Sequence, residues 1–276
     1  MGLRAGLVCN TMLSMHCASR EEQDRHIGAP AANSGTMADT FSATGLRKSY
    51  AAREVVAGVD ISISRGEIVG LLGPSGSGKS TIFNMLAGLL RPDAGKIVLR
   101  GRDITDMPID ARARMGLGYV PQAPALFGAL STEDNLRIAI EARSREHSTE
   151  RLLNAVCAAF ELEKFRKTRL ANLSGGQRRW VEIAFAVLGG PAFLLLDEPF
   201  TGLDPIASER LSATIVRLAR LGIGILLTDH NVRNALKIVE RAHVIDNGTI
   251  IAAGTSESIV GDANVRATYL GTSFSL

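Results

Sequence analysis

The sequence predicts an α/β fold, a mainly parallel sheet flanked by helices, and three observations predict it. Short apolar runs alternate with helical stretches along most of the 276 residues, the pattern of strands joined by helical crossovers. One run, 67–72, passes straight into a glycine-rich loop, and a helical pattern starts near Gly78. Another, 193–196, ends in two carboxylates, Asp197 and Glu198.

In chain order, residues 55–64 alternate apolar and polar as a half-buried strand does, and Arg65-Gly66 supplies a turn. Runs at 97–99, 117–120, 193–196, 223–227 and 243–245 are short enough for buried strands. Helical spacing covers 132–142, 148–160, 177–188 and 205–221. The stretch from approximately 98 to 170 is richer in helix and is expected to form a subdomain. Residues 1–36 have a different texture: Gly, Ala and Ser with a polar run at 21–26 and no sustained period. They read as a disordered extension, or as a translated upstream region with Met37 as the true start.

Composition sets limits on function. With 46% hydrophobic and 21% charged residues the chain is an ordinary folded protein. Its 31 basic residues exceed its 28 acidic ones by only three, too small an excess to argue for nucleic acid as a partner. No run approaches the roughly 20 apolar residues that a membrane-spanning helix needs. Residues 1–15 are mildly apolar, but Asn10, Thr11 and Ser14 interrupt them, and a secretory signal needs a cleaner apolar core. Cys9, Cys17 and Cys157 cannot all pair with one another and lack the close spacing of a zinc site. Cys157 lies in an apolar helical stretch, and a reducing compartment is the expected setting.

Gly73-Pro74-Ser75-Gly76-Ser77-Gly78-Lys79-Ser80 fits the phosphate-loop pattern G-x-x-x-x-G-K-[ST]. A glycine-rich turn can match by chance, but here a strand precedes the loop and a helix follows it. The glycines let backbone amides turn toward phosphate oxygens, and the helix N-terminus adds a favourable dipole. Lys79 is expected to reach the β- and γ-phosphates and Ser80 to ligate Mg²⁺, with Thr81 beside it as a further nucleotide contact. Asp-Glu after a strand is, taken alone, as readily a solvated strand end. Paired with the phosphate loop it resembles a Walker B segment, which implies that Asp197 holds Mg²⁺ through water and that Glu198 orients the attacking water.

Leu173-Ser174-Gly175-Gly176-Gln177 stands just ahead of a helical stretch. By itself it fits a serine N-cap with glycines opening an ordinary helix. Lying between the phosphate loop and the Asp-Glu pair, it resembles the signature of the ABC ATPases. The resemblance runs from Phe41 to the C-terminus, so that 37–276 form an ABC ATP-binding domain with a helical subdomain and an antiparallel β part. It implies ATP and Mg²⁺ as cofactors and a head-to-tail dimer, either a homodimer or a heterodimer with a related ATPase. In that dimer Ser174, Gly175, Gly176 and Gln177 of one copy close over ATP held by the other. It also implies separate transmembrane subunits and a cytoplasmic location, peripheral on the inner face of the inner membrane.

The same resemblance makes Gln122 the glutamine that senses metal and water, and places Asp204, in Gly202-Leu203-Asp204, in a loop along the dimer interface. It makes His230, in Leu227-Thr228-Asp229-His230, the contact to the γ-phosphate, and Tyr50 the ring against adenine. A terminal strand aromatic that merely packs is the other reading of Tyr50. His16, His26, His147 and His243 match no motif and are read as structural or solvent-facing.

Within the family several strings look like the ATPase of the lipopolysaccharide export machinery. They are Leu227-Thr228-Asp229-His230-Asn231-Val232-Arg233, Ala111-Arg112-Ala113-Arg114 leading into Gly116-Leu117-Gly118-Tyr119-Val120-Pro121-Gln122, and the ending Tyr269-Leu270-Gly271 with Phe274 and Leu276. Branched-chain amino-acid importer ATPases share much of this. Trp180 and Phe185 stand where the lipopolysaccharide-export group usually has arginines, and Gly128 where that group tends to have a basic residue. A soluble ABC ATPase of DNA repair or translation would carry two motif sets or long insertions, and this chain has neither. With Glu198 and His230 both present, a regulator without hydrolysis is disfavoured.

Overall fold

Burial alternates along β1 (Thr40–Tyr50) and β2 (Arg53–Ser64) in the computed structural model, which describes residues 39–51, 53–143, 149–230, 232–271 and 274. The expectations for 1–36, Cys9, Cys17, His16, His26, His147, Asn231 and Leu276 fall outside those residues. Phe41, Ala43 and Leu46 of β1 and Val56, Val59, Ile61 and Ile63 of β2 are buried, which gives the hairpin one apolar face. β4 (Ala94–Leu99) pairs on the other side of β1 and β5 (Arg102–Asp103) follows, so the antiparallel sheet has the order β2-β1-β4-β5.

The second sheet has six strands, in the order 249–255, 241–246, 68–72, 224–228, 193–197 and 117–120. β3 (Ile68–Leu72), β6 (Leu117–Val120), β7 (Phe193–Asp197), β8 (Gly224–Thr228) and β9 (Arg241–Asp246) are parallel, and β10 (Thr249–Thr255) runs antiparallel at one edge. Every residue of β3, β7 and β8 is buried, which is why these strands read as continuous apolar runs rather than as alternation. The helix Lys79–Ala87 packs between the sheets. Its Ile82, Phe83, Met85 and Leu86 share one core with Phe41 and Ile61 of the first sheet and Phe193, Leu195 and Leu226 of the second. The Phe41 and Phe193 rings meet at 5.8 Å. Each such side chain contributes about 1.5–3 kcal/mol by leaving water, so the element carrying Lys79 is among the most firmly packed. The predicted α/β class holds, antiparallel part included.

The chain divides into two compact units. The described residues of 37–124 and 191–276 form the α/β unit, and those of 125–190 belong to the other. The helical unit therefore differs from the expected 98–170. Residues 98–120 build β4, β5, the helix Ile109–Arg114 and β6, all in the α/β unit, while the helix Gly175–Leu188 packs on Thr132–Arg143. Its core holds Leu136, Ile140, Leu153, Val156, Cys157, Phe160, Val181 and Ala184. Trp180 meets Phe160 edge to face at 6.4 Å, which accounts for an aromatic residue on that helix.

His243 on β9 is 8% exposed, and neither ring nitrogen has a hydrogen-bond partner among the described residues. Burial lowers its pKa, Arg241 lowers it further, and Glu67 opposes them. The folded chain thus holds it neutral, while the unfolded chain protonates it below about pH 6.5. Stability is expected to be fully present above that pH and to decline as pH falls toward the folded value. Melting curves from pH 7.5 to 5.5 test this, and a His243→Leu variant with the same slope would assign the loss to other groups.

Candidate nucleotide site

β3 ends at Leu72, and the loop that follows sits in a space that admits no side chain at two of its glycines. A Cβ on Gly73 would lie 2.1 Å from the Ile245 carbonyl oxygen, and one on Gly78 2.7 Å from that of Val55. Gly78 also has φ 109°, a left-handed value. The Gly248 amide, in the β9–β10 turn, donates to Ser77 O at 3.0 Å, closing the loop from the other side. The loop is therefore fixed by the sheets around it.

Lys79 opens the helix and is only 6% exposed. Its Nζ donates to the carbonyls of Gly73 at 2.7 Å and Pro74 at 2.8 Å. Burial lowers its pKa, while the carboxylates of Glu198 and Asp197 pull it up. Ser75, Gly76 and Ser80 are exposed, Thr81 is half-buried, and Ser77 Oγ is buried with no partner among the described residues. An ammonium, an unpartnered hydroxyl and exposed amides and hydroxyls in one loop suit a polyphosphate.

β7 brings Asp197 and Glu198 to the same end of the sheet. Thr228, ending the neighbouring β8, ties both down: its Oγ1 donates to Asp197 Oδ1 at 2.8 Å, and the Glu198 amide reaches Thr228 O and Oγ1 at 3.1 Å each. Glu198 has φ 49°, left-handed for a residue with a Cβ, a conformation that collects at functional sites. Its carboxylate is 6% exposed. Gln122 Nε2 donates to Oε2 at 2.6 Å, Thr201 Oγ1 donates to Oε2 at 3.2 Å, and His230 Nε2 lies 2.6 Å from Oε1. Asp229 accepts from the Phe200 amide at 2.9 Å and so holds the turn after Glu198 against the segment that bears His230.

Of the residues expected in the site, Lys79, Asp197, Glu198, Gln122 and His230 thus come together in the α/β unit. Tyr50 ends β1 with half of its surface exposed. Asp204 spends a carboxylate oxygen on its own helix, Pro205–Arg220, by accepting from the Ala207 amide at 2.9 Å. In the helical unit Ser174 N-caps Gly175–Leu188 and forms a capping box with Gln177, at 3.2 and 3.0 Å. Ser174, Gly175 and Gln177 remain exposed, and Gly176 is half-buried. Thr201 and Thr228 were not singled out from the sequence. Their only signal is a hydroxyl residue three positions after Glu198 and another at the end of an apolar run.

A family model described as ABC transporter matches residues 56–201. A probable ABC transporter ATP-binding protein of Azorhizobium caulinodans is 44% identical over 270 residues, spanning 91% of this chain and 96% of that protein. The chain belongs to the ABC transporter family, as an ATP-binding subunit. The lipopolysaccharide export system ATP-binding protein LptB of Acidithiobacillus ferridurans is 46% identical over 245 residues, 87% of this ABC ATPase and 100% of the relative. Among solved structures, the ADP conformation of an ATP-binding cassette superposes with TM-score 0.75 at 25% identity, covering 84% of this chain and 99% of the cassette. A dimeric cassette in a post-hydrolysis state, bound to ADP and phosphate, gives 0.71 at 25%, over 78% and 98%. This ABC ATPase binds and hydrolyses ATP. No helix among its described residues is long and apolar enough to cross a membrane.

Proposed function

We propose that this ATPase powers lipopolysaccharide export through separate membrane subunits, hydrolysing ATP at a site shared by two copies of the chain. The observation that carries the chemistry is the Glu198 carboxylate, held by Gln122, Thr201 and His230 beside Lys79 and Asp197. Lys79 would meet the β- and γ-phosphates and Tyr50 the adenine. Ser80, Asp197 and Gln122 would hold Mg²⁺, whose charge offsets that of the phosphate oxygens. One carboxylate and a hydroxyl, completed by phosphate and water, suit that ion better than a cage of protein ligands. Glu198 orients and polarises the attacking water, and His230 steadies the γ-phosphate. Ser174 and the amides of Gly175 and Gly176 at an exposed helix N-terminus would donate to ATP of the partner copy, with Asp204 on the same interface. The dimeric cassette with ADP and phosphate supports this arrangement. The cargo rests on the identity to LptB, and the place of work is the cytoplasmic face of the inner membrane.

Phe127 is the proposed anchor for the membrane subunits. The residue is 56% exposed, so it does not pack inside the helical unit. Its main chain is pinned, because the fully buried Asn135 accepts from the Phe127 amide at 3.0 Å and donates to its carbonyl at 3.1 Å. A rigidly presented aromatic in water is an anchor waiting for a pocket. Phe127→Ala is expected to lose the membrane subunits on pull-down from membranes while keeping ATP binding. Retention of the subunits would remove Phe127 from the docking surface, and copurification of the wild type with amino-acid permease subunits would overturn the export reading.

A further inference from the structure

Arg112 is the largest fully buried side chain among the described residues, at 1% exposure, and lies on the short helix Ile109–Arg114. Nε donates to Met107 O at 2.8 Å, Nη1 to Met85 O and Leu86 O at 2.7 Å each, and Nη2 to Thr105 O at 2.9 Å. All four acceptors are main-chain carbonyls, and no carboxylate pairs with the guanidinium among the described residues. Burial lowers its pKa to about 10 against the opposing charge of Asp106, which makes no hydrogen bond to it, so it stays charged at neutral pH. Two of the four carbonyls end the helix Lys79–Ala87, where carbonyls lack partners within the helix and the dipole is negative. The fit is tight: at Gly88, which has φ 85°, an added Cβ would meet Arg112 Nε at 2.8 Å and Met107 O at 2.9 Å.

Arg112 therefore joins two parts of the site. At one end of the helix it grips stands Lys79. The helix that carries it runs through Met115 and Gly116 into β6, and Gln122 follows two residues beyond that strand. Among the described residues β6 is a four-residue edge strand paired only with β7, so its place depends on what holds the chain entering it.

We propose that Arg112 is a positioning residue for ATP hydrolysis, fixing the strand that delivers Gln122 against the helix that carries Lys79. This rests on the roles proposed above for Gln122 and Lys79. Gln122 acts on the carboxylate that activates water, whereas Lys79 keeps its contacts within its own loop. Loss of the clamp therefore changes turnover more than nucleotide affinity.

The test uses the full chain, with Arg112→Lys, Arg112→Met and Gly88→Ala as variants and Lys79→Ala as control. Steady-state ATP hydrolysis is measured well below each melting temperature, beside equilibrium binding of a fluorescent ATP analogue. Lysine offers three donors from one atom and cannot span four carbonyls. A loss of kcat of about 10- to 100-fold is expected for Arg112→Met, smaller for Arg112→Lys, with KM and analogue affinity within about twofold, a ratio worth only a fraction of a tenfold step. Gly88→Ala is expected to lower kcat in the wild type, because its Cβ would press on Arg112 Nε, with the Met107 carbonyl and the strain at φ 85° adding to the effect. A fall in melting temperature with kcat unchanged would overturn the proposal, as would a rise in KM at constant kcat. Should Arg112→Met fail to fold, the same reading is taken from Arg112→Lys. If Lys79→Ala leaves both binding and turnover intact, the site assignment fails rather than the role of Arg112.

Discussion

Glu198→Gln is expected to leave ATP binding intact and to cut turnover by about 10²–10⁴-fold, the range for losing a general base. The substitution keeps the volume of a side chain that is almost wholly buried. It also keeps an oxygen to accept from Gln122 and Thr201, so the local packing survives. What it removes is the negative charge beside His230 Nε2 and the ability to polarise a water. Lys79 loses one of the two carboxylates that sustain its charge but keeps Asp197, so phosphate binding persists. With hydrolysis blocked and nucleotide held, the ATP-bound dimer accumulates, visible as a shift in elution volume with ATP and Mg²⁺. Near-normal phosphate release by this variant would falsify the assignment of Glu198 as base.

Much of the site was legible because its residues lie in short strings whose spacing the backbone dictates. A phosphate loop must follow a strand and open a helix, so 73–80 could be placed from the apolar run before it. Asp197 and Glu198 could be placed because β7 is buried on both faces and the first charge after it marks its end. The helical unit was mislocated for the converse reason. Local periodicity shows where helices are, not which core they join. The helix Ile109–Arg114 is held to the α/β unit by Arg112 through contacts to residues up to 27 positions away, and no local pattern records that. Thr228 was illegible on similar grounds, since only the register of β7 against β8 brings it to Asp197, whereas Thr201 reaches Glu198 locally, through the turn three residues on. The capping roles of Ser174 and Asp204 show that a residue in a motif can satisfy its helix and still present itself to solvent.

Lys79→Ala is expected to act one step earlier, on binding itself. Among the described residues the ammonium is the only side-chain cation within hydrogen-bond reach of the loop carbonyls of Gly73 and Pro74, and it is where phosphate oxygens would arrive. Hydrogen bonds to charged groups contribute about 1.5–3 kcal/mol each, so losing one bond to phosphate weakens ATP roughly 10- to 100-fold. Removing a second raises the factor further. Alanine also leaves the Gly73 carbonyl, which Lys79 satisfies in a buried setting, without that donor. Part of that cost is offset because a buried ammonium no longer has to be kept out of water. The melting temperature without nucleotide is therefore expected to move little, while the rise that ATP gives the wild type largely disappears. Equilibrium binding of ATP separates the two variants: Glu198→Gln binds and stalls, Lys79→Ala fails to bind. An unchanged ATP affinity in Lys79→Ala would show that the loop does not use this cation to hold phosphate.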